Sequence, residues 1–343
     1  MGKQLLTFIF VLGFLTNLFS QNKPEDSGKF SGYMFGDYYH VTKNHNPDIR
    51  DQHGFWFRRI YFTYDYSIDE SWSTRLRFEM AHTGDFNSKN AMNPVVKDAW
   101  VRYNFSGQSI YIGISTTPTY EIIENTWGYR SVEKTPLDLY KISSSKDFGI
   151  ALKGKLDKDG IMNYHVMYGN GSSIKDENEK GKSGMLSLSA DFKNGLVIEA
   201  YGDYTTQTGK NDVYILQGFV FYKKDIFKFG IQYSNVTSRI PDGEDQLFRL
   251  ASMFVVCNLS DNFSLLGRVD KTFDVNSKVD EIDYIPLDPT SEFVLAILGL
   301  DWHPIKNVKV IPNFEFITYS RNNLGLIPQD DLFSRITFFW SFN

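Results

Sequence analysis

At residues 72–80 the sequence reads WSTRLRFEM, and its side chains alternate between two chemical characters. Successive side chains of a β-strand point to opposite faces, so this pattern predicts a strand with one apolar and one polar surface. The apolar face would carry Trp72, Thr74, Leu76, Phe78 and Met80, and the polar face Ser73, Arg75, Arg77 and Glu79.

The same two-residue period recurs along most of the chain, for example at 60–66, 99–105, 227–233 and 294–302. No segment keeps an apolar stripe with the 3.6-residue period of a helix. The pattern therefore predicts an all-β protein in which helices are minor.

The breaks between these strands fall into two classes. Seven are short, at 67–71, 106–108, 157–160, 193–195, 223–225, 260–262 and 303–307. Eight are long and polar, at 42–54, 82–95, 116–147, 169–183, 205–212, 235–246, 273–291 and 320–331. Fifteen connections imply sixteen strands with both chain ends on the short-turn side. We therefore expect a transmembrane antiparallel up-and-down β-barrel of about 16 strands with long external loops.

Composition excludes other classes of protein. The 343 residues hold 36 Lys+Arg against 41 Asp+Glu, a net charge of -5, which argues against nucleic acid as a partner. A single cysteine rules out a disulfide framework. A soluble propeller would bury both faces of most strands and repeat a blade motif, and this sequence shows neither feature.

The first twenty residues differ from the rest. Lys3 precedes an apolar run at 5–15 that is shorter than the ~20 residues a membrane-spanning helix needs. We expect residues 1–20 to be a secretory signal peptide and 21–343 to form a single barrel domain. The alternative for residues 1–20 is a buried N-terminal helix.

Aromatic residues give an independent check. At the short-turn end, the outward positions of eight strands are aromatic, as in the interfacial girdle of a membrane barrel. They are Tyr66, Trp72, Phe105, Tyr222, Phe227, Phe263, Trp302 and Trp340. The last strand, 336–342, resembles the aromatic-ended final strand of bacterial outer-membrane barrels, although Phe342 is penultimate. These features predict an integral protein of the outer membrane of a Gram-negative bacterium, in contact with its lipid and lipopolysaccharide.

A sixteen-stranded barrel is too wide for its wall side chains to fill, so whatever narrows the lumen sets selectivity. The longest loop, 116–146, is the expected constriction and is predicted to fold inward; the alternative is a loop that covers the mouth from outside. Its charged candidates are Glu121, Glu124, Arg130, Glu133, Lys134 and Asp138.

Four arginines have inward parity on three successive strands: Arg59, Arg75, Arg77 and Arg102. One interpretation is a basic ladder that lowers the barrier for anions. The other is a structural network of ion pairs with carboxylates such as Glu79 and Asp98.

Four short segments resemble the phosphate-selective porin O/P family, in its Bacteroidetes-like form. They are RRIYF at 58–62, WSTRLRF at 72–78, GISTTP at 113–118 and DFGI at 147–150. The resemblance implies passive uptake of small anions such as phosphate through a homotrimer. Acidic outer loops at 242–245 and 280–283, and the lack of a dense Lys or Arg file, favour a general porin over a phosphate channel.

We find no motif for catalysis, for a metal or for a cofactor: no His-Glu-x-x-His, no phosphate loop, no calcium loop, and no histidine spaced to a nucleophilic serine. The expectation is a non-enzymatic porin that lets small hydrophilic solutes diffuse, with a preference for anions. The alternative is an accessory or plugged structural barrel of a larger outer-membrane complex. Packed lumen aromatics at Trp100, Tyr111 and Tyr201 would favour that alternative.

Overall fold

A computed structural model of the chain describes residues 28–342 apart from 83, 85, 87–90, 176–179, 207–210 and 242. The expected signal peptide at 1–20 lies outside the described residues, as does Asp242 of the acidic stretch at 242–245.

Sixteen antiparallel strands form one closed barrel in which every strand pairs with its neighbours in sequence and β16 pairs with β1. The predicted fold class and strand number are therefore confirmed. The strands are β1 (Lys29–Lys43), β2 (His53–Ser67), β3 (Trp72–Ala81), β4 (Asn93–Phe105), β5 (Gln108–Thr116), β6 (Lys146–Lys155), β7 (Met162–Gly169), β8 (Ser183–Asp191), β9 (Leu196–Thr205), β10 (Asp212–Lys224), β11 (Phe227–Arg239), β12 (Gln246–Asn258), β13 (Phe263–Thr272), β14 (Phe293–Ile305), β15 (Val308–Tyr319) and β16 (Asp331–Phe342).

The connections have the predicted asymmetry. All seven short turns join the strand pairs at one end of the barrel, where β1 begins and β16 ends. The eight longer loops join strands at the other end. Short turns face the periplasm in outer-membrane barrels, so the long loops are on the outer side. Among the described residues no helix is long and apolar enough to cross a membrane.

The apolar face of the strands points away from the barrel axis. Leu76 and Phe78 on β3 are 39% and 38% exposed, whereas Ser73 and Glu79 on the inward face are 8% and 5% exposed. Seven of the eight predicted girdle aromatics are exposed on the outside, and Tyr66 is half-buried. Only hydrocarbon accepts such a surface, and a closed barrel is the sheet that leaves no edge unpaired within it.

The strand register shifts at four places among the described residues, and two of these β-bulges each add a charged residue to the inner wall. Between β1 and β2 the register shifts at Phe35, so that neighbouring Arg58 and Arg59 are both buried inside the barrel. Between β3 and β4 it shifts at Arg77, beside Lys97 and Asp98. A bulge places two residues opposite one and re-aims their side chains.

Glycines line the inner wall where the third loop leaves it and returns. Gly113 on β5 pairs with Gly149 on β6. Gly113 has a φ of 124°, and an added Cβ at either position would meet a backbone carbonyl of the next strand, that of Ala99 or Tyr168. Any residue larger than glycine at 113 or 149, in the GISTTP and DFGI segments, would therefore clash with the neighbouring strand.

Candidate pore and its inward loops

The third outer loop, residues 117–145 and called L3 below, folds into the barrel as predicted. After β5 it forms the helix α1 (Pro118–Trp127), which begins with the proline that a first helical position favours. Gly128 ends α1 in the left-handed conformation, with a φ of 71°. A short helix α2 (Pro136–Leu139) follows before the chain returns to β6.

The apolar side of L3 packs against the inner face of the wall formed by β6 to β14. Trp127 lies 5.2 Å, ring to ring, from Phe254 on β12. The buried L3 side chains are Tyr120, Ile123, Trp127, Tyr129, Val132, Leu137, Leu139 and Tyr140, and those of the wall include Met167, Tyr201, Phe219, Leu250, Leu266 and Ile297. Because both surfaces are apolar, this half of the lumen is filled by side chains instead of water.

Two tyrosine hydroxyls fix L3 to the same wall. Tyr129 donates to Asp301 Oδ2 on β14 at 3.0 Å, and Tyr140 donates to Asp270 Oδ2 on β13 at 2.7 Å. Both acceptors are buried carboxylates, and hydrogen bonds to charged groups are the stronger ones. The loop is thus anchored at two levels of one wall.

A buried ion-pair network ties L3 to the opposite wall. Arg58 on β2 lies 2.7 Å from Glu133 of L3 and 3.6 Å from Asp37 on β1. Arg335 on β16 lies 3.5 Å from Asp37 and 3.0 Å from Glu315 on β15. Burial opposes ionisation of Glu133, but the charges of Arg58 and Arg335 outweigh it and lower the pKa of this carboxyl. L3 therefore spans the lumen between two walls.

Three other loop candidates, Glu124, Arg130 and Asp138, form ion pairs within L3. Arg130 lies 3.1 Å from Asp138 and 3.6 Å from Glu124. Burial lowers the pKa of Lys134, whose backbone carbonyl accepts a hydrogen bond from Arg268. For Asp138, burial acts in the opposite direction from Lys134 and Arg130, and these two positive charges lower its pKa.

Glu121 on α1 contacts the wall directly. Its Oε2 lies 2.6 Å from Lys153 Nζ on β6 and 3.1 Å from His165 Nδ1 on β7. Burial alone would raise the pKa of Glu121, but the contact with His165 and the charge of Lys153 lower it to about 2. This carboxylate is therefore ionised at neutral pH.

The four predicted arginines lie on one patch of inner wall, three of them paired with carboxylates. Arg59 lies 3.2 Å from Glu79, Arg75 2.7 Å from Asp65, and Arg77 3.3 Å from Asp98. Arg102 is the exception, since it donates to Ser73 Oγ at 3.0 Å and has no carboxylate within 4.0 Å in the described part of the chain.

The prediction of inward residues from strict alternation did not include two basic residues of this wall, Arg58 and Lys97. Both are at the bulges, and Lys97 lies 3.2 Å from Glu79. The sequence signal was two charged residues in succession, Arg58-Arg59 and Lys97-Asp98, in strands whose other outward positions are apolar.

A second outer loop, residues 273–292 and called L7 below, also enters the barrel and was not anticipated. Val279, Ile282, Ile285 and Leu287 are buried. Tyr284, at a φ of 69°, lies above the β2 bulge, where its hydroxyl contacts the Arg58 carbonyl at 3.0 Å and accepts from Arg59 at 3.0 Å. L7 therefore covers the outer side of the ion-pair network.

The space left beside L3 is polar. A cavity of about 260 Å³ lies between α1 and the wall of β1 to β6. Its charged lining residues are five basic and two acidic: Arg75, Arg77, Lys97, Arg130, Lys146, Glu121 and Glu124. A cavity of about 480 Å³ borders the adjacent face of α1, and Glu121 lines both.

The two mouths differ in charge. On the outer side, a cavity of about 420 Å³ is lined by Asp280, Glu281 and Asp283 of L7 together with His45. On the short-turn side, a cavity of about 420 Å³ is lined by Lys29, Arg75, Arg102 and a single carboxylate, Asp65. The lumen thus has an acidic outer and a basic inner end.

No protein-family model matches the chain, and no curated protein does. Solved structures do. The anion-selective porin of Comamonas acidovorans has a TM-score of 0.66 and 12% identity, covering 92% of this chain and 99% of that one. The outer membrane channel DcaP of Acinetobacter baumannii has a TM-score of 0.63 and 12% identity, covering 94% of this chain and 99% of that one.

The trimer form of OmpT, an outer membrane protein of Vibrio cholerae, has a TM-score of 0.62 and 13% identity, covering 92% of this chain and 99% of that one. Identities this low establish the fold alone. With the apolar exterior described above, the chain is a porin-like sixteen-stranded barrel integral to the outer membrane of a Gram-negative bacterium.

Proposed function

We propose that this barrel is a diffusion porin that passes small hydrophilic solutes and prefers anions. The observation that carries the proposal is the cavity of about 260 Å³ between α1 and the wall, whose charged lining is five basic and two acidic residues. Fixed positive charge in a narrow, poorly screened passage lowers the barrier for anions and raises it for cations.

The ion pairs of the wall arginines are compatible with both interpretations, a row of basic residues that favours anions and a structural network that stabilises the wall. Arg75 and Arg77 are held by Asp65 and Asp98, so the wall is braced and partly neutralised. Cations still outnumber carboxylates, because Arg77 and Lys146 share Asp98. Likewise, Arg59 and Lys97 share Glu79. We therefore expect a moderate anion preference.

Phosphate selectivity and a homotrimer are finer proposals that rest on the O/P-type resemblance. The acidic residues of L7 at the outer mouth would slow the entry of a multivalent anion at low salt, which favours a general porin. The structurally similar OmpT of Vibrio cholerae has a trimer form, which supports testing for a trimer.

The test is electrical. The refolded full-length barrel, reconstituted in a planar bilayer, should give ion channels whose zero-current potential in a KCl gradient has the sign expected for chloride. Liposomes containing it should swell in small sugars. A reversal potential of cation sign would refute the anion preference alone.

A plugged accessory barrel is the second candidate, and the filling of the lumen by L3 and L7 favours it. L3 is anchored to both walls by Glu133 and Tyr140, and L7 packs above it with Tyr284. Of the predicted lumen aromatics, Tyr201 is buried and Trp100 contacts Tyr111 at 5.1 Å, ring to ring. Absence of both conductance and swelling would select this candidate.

A further inference from the structure

We infer that the short-turn end of the lumen holds a binding site for a ring-bearing organic anion, a sugar acid or a sugar phosphate, centred on Arg102 and Trp100. The inference deepens the proposed function and rests on it, because a solute reaches this site through the lumen.

The charge of Arg102 has no carboxylate partner among the described residues. Its guanidinium has one hydrogen bond, to Ser73 Oγ at 3.0 Å, and no carboxylate within 4.0 Å in the described part of the chain. A guanidinium presents five N–H donors in a planar fork that matches a carboxylate or phosphate. Arg75, by comparison, already holds Asp65 through two hydrogen bonds of 2.7 and 2.9 Å.

Aromatic rings surround this guanidinium. The Arg102 Cζ atom lies 5.9 Å from the ring centre of Trp100 and 6.0 Å from that of Tyr111. The two rings contact each other edge to face at 5.1 Å. Rings beside a cation exclude water from one side of it, which strengthens its attraction for an anion, and they give a ligand ring an apolar surface to pack on.

The adjoining cavity fits an organic solute better than an inorganic ion. Its volume of about 420 Å³ lies in the range of roughly 300–1,000 Å³ that small-molecule sites occupy. Lys29 and Arg75 add positive charge to the lining of this cavity, and Ser67 and Ser73 add hydroxyl groups to it. The anionic group of such a solute matches these cations in charge, and its ring hydroxyls match the two serines as hydrogen-bond partners.

A binding measurement that needs no current tests the site. Ligand-observed NMR titrations of the full-length barrel in detergent would compare D-glucuronate, glucose 6-phosphate, glucose and acetate. We expect glucuronate or glucose 6-phosphate to bind at least about tenfold more tightly than glucose and acetate, since only they carry both the charge and the ring. Which of the two binds more tightly identifies the anionic group.

Three variants locate the binding. Arg102→Gln should weaken it about tenfold, as loss of a charged hydrogen bond does, and Arg102→Lys should fall between. Lys158→Gln, which removes an exposed charge from a short turn, should leave it unchanged. Retained heat-modifiable gel mobility shows that each variant is folded.

Equal binding by the native chain and Arg102→Gln, or acetate binding as tight as glucuronate, would overturn the inference. A barrel that binds glucuronate through Arg102 but carries no current would refute the proposed function only. A barrel that conducts without such binding would refute this site only.

Discussion

Arg58 on β2 and Glu133 in L3 form a 2.7 Å ion pair in which both side chains are almost fully buried. Arg58 reaches this position because the bulge opposite Phe35 turns it inward next to Arg59. Buried charges are tolerated only when they are paired, so the bulge and the loop depend on each other. The pair therefore links a local irregularity of the wall to the shape of the lumen.

Arg58→Ala should loosen the attachment of L3 to β2, which Glu133 makes. Removal of Arg58 leaves Glu133 without its ion-pair partner and leaves Asp37 with Arg335 alone, and breaking a buried pair in this way costs about 3–5 kcal/mol. We expect a lower thermal unfolding temperature and a larger single-channel conductance. Arg249→Ala, which breaks a partly exposed pair with Asp274 outside the L3 network, is the control and should cost less than Arg58→Ala. Equal losses in the two variants would contradict the anchoring role.

Arg75→Gln combined with Arg77→Gln should shift ion preference towards cations. The double change removes two of the five positive charges of the cavity and leaves Asp65 and Asp98 less compensated. Reversal potentials in a KCl gradient measure the shift. Arg239→Gln combined with Arg249→Gln removes two arginines that do not line the cavity and serves as the control. An unchanged preference in the first variant would leave the wall arginines as braces only.

Neutralising the acidic residues of L7 should speed anion entry at low salt. Asp280→Asn, Glu281→Gln and Asp283→Asn remove the negative charge that lines the outer mouth. At 1 M salt the Debye length is about 3 Å, so the gain in chloride current should be present near 0.05 M and vanish at 1 M. Glu244→Gln with Asp245→Asn changes a different outer loop and controls for general surface charge. A gain that persists at 1 M salt would point to altered packing of L7.

Placing an arginine on the apolar exterior should destabilise the barrel. Leu76→Arg puts a charge on the lipid face of β3, where such a change costs ~2–4 kcal/mol near the bilayer midplane. Denaturant titration of the barrel refolded in lipid vesicles gives the difference in unfolding free energy. Leu324→Arg, in the outer loop 320–330 and 82% exposed, should cost far less. Similar costs at the two positions would contradict the assigned orientation of β3.

The barrel could be predicted from the sequence because its determinants are local. Alternation such as that of 72–80 fixes which face of a strand meets lipid, and turn chemistry fixes which end is short, so strand number and closure follow. The inward folding of L3 was also predictable, since a loop of about thirty residues with apolar anchors such as Trp127 needs a surface to cover.

The contents of the lumen were less predictable because they depend on contacts distant in sequence. Arg58 and Lys97 face inward only because of bulges, which are set by pairing with the neighbouring strand. L7 resembled a solvated acidic loop, and its buried Ile282 and Leu287 are interspersed with exposed carboxylates without a regular period. The partner of each wall arginine likewise follows from strand register, which parity alone does not give.

Acid should loosen L3 through Glu121, in a pH range that its pKa defines. The pKa falls from an ordinary value of 4.5 to about 2 in the folded barrel, so the folded state favours the ionised carboxylate. Its stabilising contribution is complete above pH 4.5 and is lost as the pH falls from 4.5 towards 2. The part of the thermal stability that depends on Glu121, measured as the difference between the native barrel and Glu121→Gln, should therefore be constant from pH 7 to 5 and decrease below that range.

Glu121→Gln identifies the group responsible, because the amide keeps the size of the side chain and removes its titration. We expect this variant to differ from the native barrel at pH 7, where it has lost the attraction of Lys153, and to converge on it towards pH 2. Glu70→Gln, in an exposed short turn, is the control and should follow the native profile throughout. If Glu121→Gln retained the native acid response, the response would belong to another carboxylate and Glu121 would not hold α1 against the wall through its charge.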